Sequence, residues 1–122
     1  MKIPPWQLAL RFALEIASLI AIGRYVGGRF DAPMRYVAGV GVPAAVAALW
    51  GTFAVRGDPS RSGNAPIPVP GVLRLTLELA VFLGGAACLA AGQDWFACGI
   101  FLAAFALHHV MTRERLAWLV QQ

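Results

Sequence analysis

The stretch GVLRLTLELAVFLGGAACLAA, residues 71–91, carries only two charged side chains, Arg74 and Glu78. An α-helix needs about 20 predominantly apolar residues to cross the roughly 30 Å hydrocarbon core of a bilayer. Lipid offers no hydrogen-bond partner to an unpaired backbone group, so a helix is the expected form. The stretch therefore predicts a transmembrane helix.

Three more apolar stretches flank this one and are separated from it by clusters of glycine, proline and charge. They cover about 6–26, 34–55 and 95–111. The longest connection, 56–70, contains four prolines, two glycines and three charged residues. We predict one all-α transmembrane domain over residues 1–122, built as a bundle of four helices with 56–70 as a cytoplasmic loop.

The composition of the whole chain supports this class. Of its 122 residues, 59% are hydrophobic and 13% are charged, whereas soluble domains carry about 25% charged residues. A chain this short cannot bury so much apolar surface, and disordered chains are polar and rich in charge. A soluble globular domain and a disordered segment are both excluded.

The basic residues predict the orientation in the membrane, because cytoplasmic loops are enriched in Lys and Arg. Five of them fall on the side of the termini: Lys2, Arg56, Arg61, Arg113 and Arg115. Three fall on the other side: Arg24, Arg29 and Arg35. We predict a bacterial inner-membrane protein with both termini in the cytoplasm. The same dispersed charges, +4 in total, predict no nucleic-acid partner.

The sequence contains an internal repeat. Residues 10–17, LRFALEIA, align with residues 73–80, LRLTLELA, at a shift of 63 residues and with five of eight positions identical. An even number of crossings separates the two segments, so they point the same way through the membrane. The pattern predicts two tandem helical hairpins in parallel repeat about a pseudo-twofold axis.

Each copy of the repeat carries an arginine and a glutamate four residues apart, on one helix face. Charges inside a span are costly unless paired or hydrated, and usually face the bundle interior. We therefore expect Arg11, Glu15, Arg74 and Glu78 to form one layer of zero net charge in the cytoplasmic half. Pairing within each motif and pairing across the two motifs are equally allowed.

Polar groups from the other two helices are expected at the same depth: Trp50, Thr52, His108 and His109. The layer is the candidate site, either as a structural set of ion pairs or as carboxylates that exchange protons or cations. Glu15 and Glu78 are the candidates for acid–base chemistry, although no catalytic role is assigned. Carboxylates with a histidine can bind zinc or iron, but the Glu-x-x-His spacing of di-iron bundles is absent. We predict no metal and no cofactor.

The segments LRFALE (10–15), LWGTF (49–53) and LRLTLELAVF (73–82) resemble the YrdB-like family. Its members are small bacterial four-helix membrane proteins whose domain has no known function. The resemblance covers most of the chain. It implies the same architecture and location, and it implies no reaction.

Three functions fit the sequence. The first is a structural or accessory subunit that packs against another membrane protein. The second is a dimeric, proton-coupled transporter or binder of a small lipophilic or cationic solute. The third is a small membrane enzyme that uses Glu15 and Glu78 as acid and base on a lipophilic substrate. The expected partners are the lipid bilayer and either a second copy or another membrane protein. An open cavity at the charged layer would favour the second and third functions, and a dry interlocked layer the first.

Overall fold

The computed structural model describes residues 2–61 and 64–122, and these form a mainly helical protein. The elements follow in the order α1 (Pro5–Gly27), α2 (Met34–Thr52), β1 (Phe53–Ala54), β2 (Ile67–Pro68), α3 (Gly71–Ala91), α4 (Trp95–Met111) and α5 (Arg113–Val120). The all-α class is confirmed. The bounds of α3 and α4 coincide with the predicted ranges.

Two parts of the prediction need correction. The second apolar stretch was expected to stay helical to residue 55, but α2 ends at Thr52, because Phe53 and Ala54 pair in parallel with Ile67 and Pro68. The predicted loop 56–70 therefore contains a short strand. Its residues 62–63 lie outside the described residues. The last eleven residues were given no element, whereas α5 covers most of them.

Three helices, α1, α2 and α3, are each long and apolar enough to cross a membrane. The 17-residue α4 reaches that length only together with α5, which follows it after a bend of 70°. At the bend, the hydroxyl of Thr112 donates a hydrogen bond to the carbonyl oxygen of His108 (2.8 Å).

The core lies between α1, α3 and α4. Its buried apolar residues are Leu14, Phe82, Ala86, Cys98 and Phe101. Helix α2 packs mainly along α1 and has no buried residue. Small residues permit this close packing: a Cβ added at Gly23 would lie 2.6 Å from the carbonyl oxygen of Gly39.

Helices α1 and α3 are in close contact where Ser18 meets Gly85. The Ser18 hydroxyl, fully buried, donates to the carbonyl oxygen of Val81 (2.6 Å). A Cβ added at Gly85 would lie 2.8 Å from the Cα of Ser18. This contact brings the two repeated Arg/Glu segments side by side.

We expect Gly85→Ala to lower the free energy of unfolding by about 1–3 kcal/mol, because the added methyl group overpacks the contact with Ser18. Gly84→Ala is the matched control, since a Cβ there meets no described atom within 4 Å and alanine favours a helix over glycine. Denaturant unfolding of both variants in detergent checks the difference. Equal stabilities would contradict the close α1–α3 contact.

Candidate functional site

The site is built around the carboxylate of Glu78, which is fully buried in α3. One of its oxygens, Oε1, accepts hydrogen bonds from Nη2 of Arg11 and Nη2 of Arg115, both at 2.5 Å. The other, Oε2, accepts from Nη1 of Arg115 at 3.1 Å. Two guanidinium groups from different helices thus compensate one carboxylate that has no access to water.

Arg115 is in turn held by a second carboxylate, which comes from the loop after β1. Its Nε and Nη2 donate to the two oxygens of Asp58 at 2.8 and 2.6 Å. The backbone N–H and the hydroxyl of Ser60 donate to the same Asp58 at 2.9 and 2.8 Å. This bidentate geometry is the strong form of an arginine–carboxylate pair, and it ties the loop to α5.

Arg11 links the two repeated motifs. Besides its bond to Glu78, its Nε lies 3.2 Å from Oε1 of Glu15, one turn along α1. Pairing within the motif and pairing across the motifs therefore both occur at this arginine.

Arg74 pairs differently from Arg11, although it holds the equivalent place in the repeat. Its Nη1 donates to the carbonyl oxygens of Trp50 (2.5 Å) and Phe53 (2.7 Å). Its Nε lies 3.8 Å from Glu78, and its guanidinium group lies 4.3 Å from the centre of the Trp50 ring. A cation is favourable at a helix C-terminus, where carbonyl groups lack partners. Arg74 therefore acts as a C-terminal cap of α2, donating to carbonyl groups at the end of that helix.

The complete cluster holds six formal charges that cancel: Arg11, Arg74, Arg115, Glu15, Glu78 and Asp58. Sequence reasoning found four of them and missed Asp58 and Arg115. The sequence holds only weak signals for these two residues. Asp58 is the one acidic residue in 56–70, and Arg115 shares a helix face with the apolar Leu119, four residues later in an amphipathic segment.

The structure brings one of the two histidines into the cluster. His108 is 2% exposed, and its Nε2 lies 3.5 Å from Nη1 of Arg11. Because arginine can only donate, any hydrogen bond between these atoms has Nε2 as its acceptor. The other histidine, His109, contacts the carbonyl oxygen of Phe105 through Nδ1 (3.0 Å) and stacks on the Phe105 ring (4.3 Å between centroids).

Thr52 does not join the cluster, because its hydroxyl donates to the carbonyl oxygen of Ala48 within α2 (2.6 Å). Over the described ranges, no three His, Cys, Asp or Glu side chains are grouped as metal ligands.

One edge of the cluster is open. A cleft of about 510 Å³ lies between α1, the end of α2 and the loop after β1. Glu15, Trp50 and Arg74 line it, and the side chain of Glu15 keeps 21% of its surface exposed. The centre of the cluster is buried and interlocked, while Glu15 borders a cavity.

Two comparisons with known proteins give a match, and neither match names an activity. Residues 9–107 match the model of a family described as "Protein of unknown function (DUF2568)". The "Uncharacterized protein YrdB" of Bacillus subtilis (strain 168) is 40% identical over 121 residues, which are 99% of this chain and 98% of that protein. The resemblance to the YrdB-like family is thus confirmed. No solved structure matches the chain.

We expect Arg115→Gln to lower the free energy of unfolding by about 3–5 kcal/mol, because it leaves Asp58 and Glu78 short of a buried partner. The control is Arg113→Gln, an exposed arginine on the same helix, which should change stability by less than about 0.5 kcal/mol. Unfolding in detergent at neutral pH measures both. A similar, small change in the two variants would contradict the structural role of Arg115.

The pairing of Asp58 predicts a pH dependence of stability. Burial raises its pKa, but hydrogen bonds and charge from Arg115, with hydrogen bonds from Ser60, outweigh burial and lower the pKa to about 2 from an ordinary 3.8. A lowered pKa stabilises the fold above the unfolded value, and this contribution is lost as the pH falls from about 4 to about 2. The stability difference between the wild type and Asp58→Asn should therefore shrink over that range in acid unfolding experiments. A constant difference would contradict the assigned ion pair.

Proposed function

We propose that this chain, which belongs to the DUF2568 family, is an integral protein of the bacterial cytoplasmic membrane and serves as an accessory subunit packed against another membrane protein. Its helices would form a four-helix bundle with both termini in the cytoplasm. The relative from Bacillus subtilis is itself uncharacterized, so the proposal depends on the chain's own geometry.

The distribution of polarity supports the membrane location, because it is the reverse of that in a soluble domain. Buried side chains include Arg11, Glu78 and Arg115, whereas Val40 is 70% and Phe96 81% exposed. Exposed apolar surface on this scale is unfavourable in water and favourable in lipid, where buried charges must also be paired.

The arrangement of the helix ends supports the orientation. The start of α1, the end of α2, the start of α3 and the bend after α4 all meet at the charge cluster. The loop with Arg56 and Arg61 and the helix with Arg113 and Arg115 lie at this same end. The excess of basic residues at this end favours the cytoplasm.

The observation that supports the accessory role is the pairing of the cluster's carboxylates with arginine. Glu15, Glu78 and Asp58 each have an arginine within 4 Å. Glu78 and Asp58 are fully buried and receive several hydrogen bonds each. A carboxylate held this way fixes helix positions and cannot exchange ions without dismantling its surroundings. This buried, interlocked centre favours an accessory protein, whereas the open cleft at Glu15 favours the alternative function.

Helix α2 supplies the surface that a partner would cover. On the side away from α1 it presents the small, exposed residues Gly41, Ala45 and Ala48. No described atom lies within 4 Å of a Cβ added at Gly41. Small residues at this spacing let a second transmembrane helix approach closely.

Glu15 supports the alternative function, a dimeric proton-coupled transporter or binder of a lipophilic or cationic solute. It is the one carboxylate of the cluster that lines the open cleft. Solute entering the cleft would reach it without disturbing Glu78 or Arg115.

A photoreactive amino acid at position 45, introduced in cells that naturally express the chain, tests the accessory role. We expect it to crosslink in high yield to one membrane protein, because no described residue covers this face of α2 at Gly41. The same amino acid at position 106, an exposed site on α4, should crosslink far less.

Equal labelling from positions 45 and 106, or no protein product from position 45, would contradict the proposal. Uptake of tetraphenylphosphonium, a lipophilic cation, into proteoliposomes driven by a proton gradient, and lost in Glu15→Gln, would assign the alternative instead.

A further inference from the structure

The cleft beside Glu15 carries a cationic group that lies outside the charge cluster. Arg11, Glu15, Arg61 and Arg74 line it. Arg11 and Glu15 offset each other at 3.2 Å, and Arg74 belongs to the cluster, with its Nε 3.8 Å from Glu78. Arg61 is the remaining cation. Arg61 donates to the carbonyl oxygens of Gly51 (3.4 Å) and Asn64 (3.0 Å), and within the described part of the chain no carboxylate pairs with it.

Arg61 and Arg74 both keep donor capacity. Their Nε atoms are buried and, among the described residues, have no hydrogen-bond partner, although that of Arg74 lies 3.8 Å from Oε1 of Glu78. Arg74 is only 2% exposed. A buried guanidinium group with an unused donor at the wall of a cavity is suited to an anionic oxygen, above all to a phosphate.

A mainly apolar groove of about 790 Å³ lies next to this cleft, along α1 and α2. On α1 the cleft reaches Glu15 and the groove begins at Ile16; on α2 the cleft reaches Gly51 and the groove begins at Ala47, one turn away. Residues spaced by three and four lie on one helix face, so the cleft and the groove form a single trough.

The groove is long as well as apolar. On α1 it extends from Ile16 to Gly28, about 18 Å at 1.5 Å per residue. Gly23 and Gly39, where the two helices touch, both line the groove. Because neither has a side chain, nothing projects from them into the groove. The far end of the groove carries Arg24 and Arg35, and the cleft end carries Arg61 and Arg74, whose Nε atoms are buried without a hydrogen-bond partner among the described residues. An apolar channel that leads away from such guanidinium groups suits an anionic amphiphile.

We propose that this trough binds one anionic phospholipid of the surrounding membrane. Its phosphate lies between Arg61 and Arg74, and an acyl chain follows the α1–α2 groove. The inference rests on the proposed membrane location, which puts the arginines at the level of cytoplasmic headgroups and the groove at the level of the acyl chains. It does not depend on the accessory role.

The test is the thermal stability of the purified, delipidated protein in a neutral detergent. We expect dioleoylphosphatidylglycerol to raise Tm by on the order of 5 °C and dioleoylphosphatidylcholine, with the same acyl chains, to raise it far less. In Arg61→Gln the preference for phosphatidylglycerol should disappear. Arg56→Gln, an exposed arginine of the same loop that does not line the cleft, should retain it.

The groove is tested separately with Ala47→Phe, which should reduce stabilisation by phosphatidylglycerol by filling the channel. Ala106→Phe is its control, an exposed alanine five residues from the end of α4 as Ala47 is from the end of α2.

A preference for phosphatidylglycerol that survives in Arg61→Gln, or equal effects of the two lipids on the wild type, would overturn the proposal. So would full stabilisation by glycerol phosphate alone, because the groove would then contribute nothing. Crosslinking from position 45 reports on the accessory role independently of these results.

Discussion

The placement of one carboxylate, that of Glu78, constrains the rest of the molecule. A buried charge in low dielectric is tolerated only when its hydrogen-bonding capacity is satisfied by groups of opposite charge. Glu78 obtains this from Arg11 on α1 and Arg115 on α5. Those two contacts fix α1 against α3 and hold α5 across the start of α3. They also draw in Asp58, because Arg115 presents more donors than one carboxylate can accept.

The cluster also explains why the two copies of the repeated Arg/Glu motif have different surroundings. Arg11 and Arg74 hold the same place in the two motifs, yet Arg11 bonds carboxylates and Arg74 bonds the carbonyl groups that end α2. Arg115 takes up the donor role at Glu78 that Arg74 leaves free. The result is a layer in which one repeated glutamate is enclosed and the other, Glu15, borders a cleft. An open edge thus lies beside Glu15, while the centre of the layer is buried.

Sequence reasoning identified the parts of this structure that depend on local pattern. The bounds of α3 and α4 follow from apolar runs that end at turns, and the Arg/Glu spacing identified the layer that the structure assembles. The end of α2 was predicted three residues too late, because the pairing of Phe53 with Ile67 joins segments that are distant in the chain. Asp58 and Arg115 were missed for the same reason: their contact spans 57 residues, and each looks like an ordinary loop or surface charge. The open cleft depends on how three elements pack, which periodicity does not encode.

The position of Arg115 in the chain has a consequence for how the protein is made. The ribosome synthesises helices in chain order, and Arg115 follows Glu78 by 37 residues and Asp58 by 57. The hairpin of α1 and α2 and the helix α3 are therefore synthesised while Glu78 has only Arg11 and Arg74 as basic neighbours and Asp58 has none of its arginine contacts. Neutralisation of the cluster therefore requires α5, which follows α4 after the 70° bend. A truncation before α5 would leave Glu78 without Arg115 and Asp58 without an arginine partner, so this short helix is an electrostatic necessity for the cluster.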